Sequence, residues 1–351
     1  MDVEVWILGA TGRSGQAIVS ALAGTGVTPV PVGRDAARLA AAFPDVARTV
    51  TAGSLATVAT EIHAQRPAVV VNTIGPFGAT ADAIARACLP ASHYLDLAND
   101  MWAFSAVLDL HERAVEAGRT LVSGAGFGVL ATEGVVTALC ADRPTPERVR
   151  VDMVPSLAQE DGVIGQALAA SIVDGVPDGS RRYVDGRPRR VPPGHDAITL
   201  VLPDGTPVVT AGLPLGDLVA ARRASGAPTV VAASSLAPTS GAARALARVA
   251  GAVLALDPVR GFARDRLAAV RTRPRDRPRE HSYGHARVEW ADGTVREGWL
   301  RAGDAGVFTA STAAVVAAWL AEDRGRPGAH TPVAALGAEL VAAAGGELIL
   351  D

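Results

Sequence analysis

Val3-Glu4-Val5-Trp6-Ile7-Leu8 runs directly into Gly9-Ala10-Thr11-Gly12-Arg13-Ser14-Gly15. The first six residues are rich in β-branched and bulky apolar side chains and read as a strand, whereas residues 16–23 have helical spacing. A glycine at the end of a strand permits a tight turn, the next lets backbone approach a pyrophosphate, and the third lets helix pack on strand. Amides at the start of the helix, with the helix dipole behind them, then hold phosphates. Three glycines alone are a weak signal; their place between a strand and a helix makes this a dinucleotide-binding loop. Its cofactor-binding candidates are Gly9, Thr11, Gly12, Arg13, Ser14 and Gly15.

The second strand, over residues 28–32, decides which dinucleotide. A site for NAD usually ends this strand in Asp or Glu to bind the ribose 2′-hydroxyl. Here the chain reads Gly33-Arg34-Asp35. A guanidinium matches a 2′-phosphate bidentately and stacks on adenine, so Arg34, aided by Arg13, favours NADP (NADPH); the competing reading has Asp35 holding the ribose of NAD. Further on, Val69-Val70-Val71-Asn72-Thr73-Ile74-Gly75-Pro76 is an apolar strand ending in polar and turn residues. In a doubly wound sheet ligands bind at the carboxyl ends of strands, which places Asn72, Thr73, Gly75 and Pro76 beside the nicotinamide.

Strand signals at 3–8, 28–32, 69–73, 93–97 and 120–122 alternate with helical stretches at 16–23, 36–43, 57–65, 79–88 and 103–117. This alternation predicts an α/β fold with a Rossmann-type doubly wound parallel sheet over residues 1–125. Beyond Gly124-Ala125-Gly126-Phe127-Gly128 the pattern becomes β-rich, with hairpin signals at Pro203-Asp204-Gly205 and Ala291-Asp292-Gly293. We expect an inserted α+β domain on an antiparallel sheet over 126–308, and a helical segment over 309–351 that completes the first domain.

All 33 basic residues of the 351 are arginine. Without lysine there is no Walker-type phosphate loop, no Schiff base and no tyrosine–lysine pair of short-chain dehydrogenase type, which also argues against an epimerase or dehydratase of that kind. A formal charge of −3 gives no reason to expect nucleic acid or an anionic membrane as partner. Residues 260–279 hold eight arginines, which we read as a solvated helix end and loop rather than a phosphate site. Cys88 and Cys140 lie far apart in apolar runs, as thiols of a reducing compartment do. With no secretory pattern near residue 1 and no run of about 20 strongly apolar residues, a cytoplasmic protein is expected.

Asn72-Thr73-Ile74-Gly75-Pro76-Phe77-Gly78, Ala87-Cys88, His93-Tyr94-Leu95-Asp96-Leu97 and Gly126-Phe127 resemble the saccharopine dehydrogenase-like reductases, a family that includes trans-acting enoyl reductases. Weaker matches continue at Gly216-Asp217-Leu218 and at Pro327-Gly328-Ala329-His330-Thr331-Pro332. The resemblance implies a nucleotide-binding domain completed by C-terminal helices, an inserted domain for substrate and homodimer contacts, and hydride transfer from NADPH to a C=N or C=C bond. The chain also departs from the family: Asn99-Asp100 stand where a Gly-Glu pair is common, and Ala52-Gly53-Ser54 where an aspartate often follows the third strand. The lysine that some true saccharopine dehydrogenases use has no counterpart, which argues against that literal activity.

Reduction leaves a centre that needs a proton or a stabilised charge, so a donor near the nicotinamide is expected. Tyr94, Asp96 and Asp100 are the catalytic candidates and Asn99 a further cofactor contact, because all four lie at or beyond a strand's carboxyl end. For Asp96 the competing role is capping or loop hydrogen bonding. Gln159, Glu160 and Asp161 precede another helical stretch and compete with ordinary N-capping. His281 and His285 have an i, i+4 spacing, but Pro278 and Gly284 argue against a helix, and no metal site is expected. The leading expectation is an NADPH-dependent oxidoreductase acting on a small-molecule substrate. The alternative is a non-catalytic NADP-binding redox sensor, against which the large second domain speaks.

Overall fold

The structure, a computed structural model, describes residues 3–158, 162, 163, 169, 173, 179–254 and 256–350. Gln159, Glu160, Asp161 and most of the helical stretch expected after them lie outside the described residues. The chain divides into two compact units, one of Met1–Leu130 with Gly306–Gly345 and one of Ala131–Ala305 with Gly346–Asp351.

In the first unit β1 (Glu4–Leu8), β2 (Thr28–Gly33), β3 (Val50–Thr51), β4 (Val69–Asn72), β5 (His93–Asp96) and β6 (Thr120–Val122) are joined by a later strand, Gly328–His330, here β17. Their order is β17-β6-β5-β4-β1-β2-β3, and every pairing is parallel. Strand order reverses between β1 and β4, which opens a crevice at their carboxyl ends. Both faces of the sheet are covered, so the central strands are built on apolar runs: Val5, Trp6, Ile7, Val69, Val70 and Val71 are fully buried. The flanking helices are α1 (Arg13–Ala21), α2 (Ala36–Ala42), α3 (Leu55–Gln65), α4 (Phe77–Cys88), α5 (Met101–Leu108) and α6 (His111–Glu116). One helix expected over 103–117 is thus two, parted at Asp109-Leu110. The two-residue β3 has no periodicity to find.

Next come α7 (Phe127–Cys140) and, after the second unit, α11 (Ala305–Ala321), α12 (Pro332–Leu336) and α13 (Glu339–Ala343). The Thr309 hydroxyl accepts from the Phe127 amide at 3.1 Å, so a residue 182 positions away caps the start of α7.

The second unit holds β7 (Arg148–Val154), β8 (Gly162–Val163), β9 (Ser180–Val184), β10 (Arg187–Val191), β11 (Ile198–Val201), β12 (Pro207–Gly212), α8 (Gly216–Ser225), β13 (Thr229–Ser234), α9 (Gly241–Leu254), α10 (Asp257–Ala268), β14 (Arg271–Thr272), β15 (Ser282–Glu289), β16 (Val295–Ala302) and β18 (Glu347–Leu350). Its large sheet runs β10-β9-β13-β7-β15-β16-β18, with β11 and β12 branching from β13. The expected antiparallel sheet is mixed instead, because β13 pairs parallel to β7 while its other partners run antiparallel. The final strand also departs from expectation: β18 pairs with β16, so residues 346–351 belong to this unit and not to the first. Both hairpin signals join antiparallel partners, β11–β12 and β15–β16. A third hairpin, β9–β10, turns on Asp185 and Gly186, both at positive φ, and was hidden by its arginine-rich strands.

One face of this sheet packs tightly on α7: a Cβ at Gly284 would lie 2.6 Å from the Ala131 methyl group. The other face carries ionic groups. Asp152 accepts from Arg150 (2.8 Å), Thr210 (2.6 Å) and His285 (2.9 Å), and the other nitrogen of His285 meets Glu297 at 2.8 Å. Burial raises the Asp152 pKa, but His285 and Arg150 outweigh it and the net shift is downward. Burial lowers the His285 pKa, and its two carboxylate partners turn the net shift upward. The pair contributes most between the unfolded-state pKa values of a carboxylate and an imidazole, about 4 to 6.5. Its contribution is lost as pH falls through the depressed Asp152 pKa, and again as pH rises through the raised His285 pKa. Asp152→Asn should lower unfolding free energy by about 3 kcal/mol in that window and flatten the decline above it, read from denaturant unfolding over a pH series.

Candidate active site at the carboxyl edge of the parallel sheet

The glycine loop crosses the end of β2, where the Gly9 and Ala10 amides donate to the Val32 carbonyl at 3.0 and 3.2 Å, and closes with Gly12 N–H on the Gly9 carbonyl at 2.9 Å. Gly9 has φ +74°, and a Cβ there would lie 2.9 Å from Thr73 Oγ1, so no other residue fits without strain. At Gly15 a Cβ would come within 2.6 Å of the Gly9 carbonyl oxygen, which is how closely α1 packs on the loop. Gly12 stands at the N-cap of α1 with no side chain capping it, and Gly12, Arg13 and Ser14 are exposed. This bare, glycine-built concavity at the start of a nine-residue helix fits a pyrophosphate.

Beside the loop, Thr11, Arg34, Asp35 and Arg38 line a pocket of about 380 Å³. Asp35 accepts from the Arg38 amide at 3.0 Å as the N-cap of α2, so its carboxylate is engaged locally and two guanidinium groups flank the space. Two cations beside a glycine loop suit the ribose phosphate of NADP better than an uncharged ribose. Sequence reasoning missed Arg38; its signal was the four-residue step from Arg34 across the start of α2.

On the other side of the crevice, the Thr73 hydroxyl donates to the Leu8 carbonyl at 2.7 Å and ties the end of β4 to β1. Asn72 is fully buried; its carbonyl accepts from the Ile74 amide at 3.0 Å and its amide donates to Tyr94 Oη at 3.2 Å. Tyr94 in turn donates to Asp96 Oδ2 at 2.9 Å. Asp96 Oδ1 accepts from the amides of Ala98 (2.9 Å) and Gly124 (3.0 Å) and from Ser123 Oγ (3.0 Å). Burial raises the Asp96 pKa, and these donors lower it only in part. Because every partner is a donor, the carboxyl sits as a carboxylate in an acceptor's place. The Tyr94 pKa lies well above its ordinary value, through burial and the charge of Asp96.

The structure places the three expected proton movers within hydrogen-bond networks of the fold. Tyr94 and Asp96 are fully buried and committed to each other and to two loops, with no exposed atom to meet a substrate. Asp100 is the N-cap of α5, accepting from Trp102 and Ala103 at 3.1 and 2.8 Å. Gly75, Pro76 and Asn99 are half-buried at the carboxyl edge, in the loops after β4 and β5. His93 sits at the opposite edge, accepting from the Thr120 amide at 3.0 Å and facing Asp323 at 3.0 Å. His281 and His285 lie at and in β15, and both ring nitrogens of His285 face carboxylates.

Residues 5–122 match the family model of the saccharopine dehydrogenase NADP binding domain. The whole chain is similar in structure to apo saccharopine dehydrogenase (L-Glu forming) from Saccharomyces cerevisiae, with a TM-score of 0.61 and 12% identity over 99% of each chain. More distant are GenD2 from gentamicin A biosynthesis, solved with NAD (TM-score 0.41, 17% identity, 86% of this chain and 72% of that one), and a dehydrogenase from Chromobacterium violaceum (0.38, 10%, 86% and 75%). No curated protein sequence matches the chain. Among the described residues no helix is long and apolar enough to cross a membrane. Residues 5–122 thus match the NADP-binding domain of the saccharopine dehydrogenase family, the glycine cradle is in place within them, and the chain shares the fold of saccharopine dehydrogenase along its length.

Proposed function

We propose that the protein uses NADPH to reduce a C=N bond (imine or iminium) or an activated C=C bond of a small molecule, as a cytoplasmic homodimer. The observation that carries the cofactor half is the glycine cradle beside a pocket flanked by Arg34 and Arg38. The bond class is supported by the resemblance of the Asn72–Gly78 loop and the His93–Leu97 strand to reductases of this family. When bound, the cofactor supplies the hydride. Gly9, Thr11, Gly12, Arg13, Ser14 and Gly15 hold the pyrophosphate, Arg34 and Arg38 the 2′-phosphate, and Asn72, Thr73, Gly75, Pro76 and Asn99 the nicotinamide side.

Tyr94, Asp96 and Asp100 are positioning residues in this scheme. They fix the loops after β4, β5 and β6, and the proton comes from water, from the substrate or from a group other than lysine. An iminium substrate needs no proton after hydride addition, which suits a site wall whose phenol and carboxylate are already engaged.

Turnover is tested by loss of NADPH absorbance with a panel of cyclic imines, iminium salts and enones. Catalysed oxidation with any of these supports the assignment, and binding of NADPH with no turnover across all three classes overturns it. Gly12→Ala should abolish NADPH binding, followed by fluorescence. Arg34→Ala and Arg38→Ala should each weaken NADPH binding roughly tenfold to a hundredfold while leaving NADH little changed. Tyr94→Phe should cost about 1–2 kcal/mol of stability and keep kcat within about tenfold; a loss of a hundredfold or more in kcat would restore Tyr94 as the acid.

A further inference from the structure

We propose that α9 and α10 form a docking surface for an anionic phospholipid bilayer and lie in its interface. On α9, Leu246 (69% exposed), Val249 (62%) and Val253 (46%) fall on one stripe, and Leu256 (61%) at the start of α10 and Phe262 (62%) within it are exposed as well. A surface helix ordinarily turns its apolar stripe to the core and its polar face to solvent. Here the large apolar side chains described on α9 face solvent, and exposed apolar groups clustered in this way call for an outside cover.

The charge of the same segment selects the cover. Residues 236–279 carry ten arginines against three aspartates, a formal +7 inside a chain whose total is −3. The whole-chain value that argued against an anionic surface is therefore an average over a strongly basic segment and an acidic remainder. Arg266, Arg271, Arg273, Arg275 and Arg277 are exposed, and Arg266 lies 5.2 Å over the Phe262 ring, so cation and apolar side chain are neighbours. A bilayer with anionic headgroups meets both features at once: aliphatic groups enter below the headgroups while guanidinium groups bind phosphates. At 14 residues α9 is too short to span a bilayer of about 30 Å and must lie in the plane.

A second copy seated on this face would set the same arginines against one another in an isologous contact. Nucleic acid is disfavoured because the stripe offers one aromatic ring among aliphatic side chains, with little on which bases stack.

The test is sedimentation of the full chain with vesicles of phosphatidylcholine alone, or of equal parts phosphatidylcholine and phosphatidylglycerol. We expect partition onto the mixed vesicles, little onto the neutral ones, and release by high salt. L246S/V249S/V253S and, separately, R271Q/R273Q/R275Q should each reduce partition, the arginine set by roughly a hundredfold. NADPH binding and thermal melting of the variants serve as the check on folding. Equal binding to both vesicle types, or to neither, overturns the proposal. So does a dimer in light scattering that L246S/V249S/V253S splits, which assigns the face to a second copy, or capture of an acidic protein with no vesicle binding.

Discussion

The carboxylate of Asp96 is the constraint on which the carboxyl edge of the first unit depends. It has no contact with water, and a buried charge is tolerated only when its lone pairs are filled. Ser123, Gly124, Ala98 and Tyr94 fill them, and each bond recruits a different piece of chain. Gly124 reaches its position at φ +80°, where a Cβ would meet Phe104 at 2.7 Å. Tyr94 passes the constraint to Asn72, which shapes the loop after β4. Three loops that line a ligand crevice are thus held by one fully desolvated network.

The fold was legible in the sequence where a local pattern determined it. Val3–Leu8 followed by the glycine loop specified strand, turn and helix because backbone sterics and burial agree at every position. The same agreement made Val69–Asn72 readable. The short β3, β17 and β18 were not readable, since β3 and β17 lack the apolar run that marked the equally short β4 and β6, and the pairing of β17 and β18 is decided by distant chain. The β9–β10 hairpin was missed for another reason: arginine stems cover apolar surface without registering as hydrophobic. At the site, residue types were found more reliably than roles. Asp96 and Tyr94 are adjacent on one strand face, two residues apart, and only the structure shows that Ser123 and Gly124 close around them.

A chain without lysine has no ammonium side chain to place, so its permanent positive charge comes as planar forks that bind, stack and shield. Arg34 and Arg38 flank a pocket, Arg150 clamps Asp152 from two nitrogens and reaches the Asp196 carbonyl with the third, and Arg324 lies 3.8 Å over the Trp319 ring. A near-neutral total conceals this division of labour, and net charge is therefore a poor guide to what any one face of the molecule meets.

The sheet of the first unit is finished by a strand that the ribosome makes more than 200 residues after the strand it pairs with, Gly328 against Thr120. Until then the edge of β6 presents open backbone groups, a template for pairing with another nascent chain. Closing so long a loop is slow, and an unfinished parallel sheet exposes apolar surface while it waits. Synthesis of this protein should therefore lean on chaperones late rather than early, and truncations that stop before residue 328 should aggregate even though they contain the whole glycine loop.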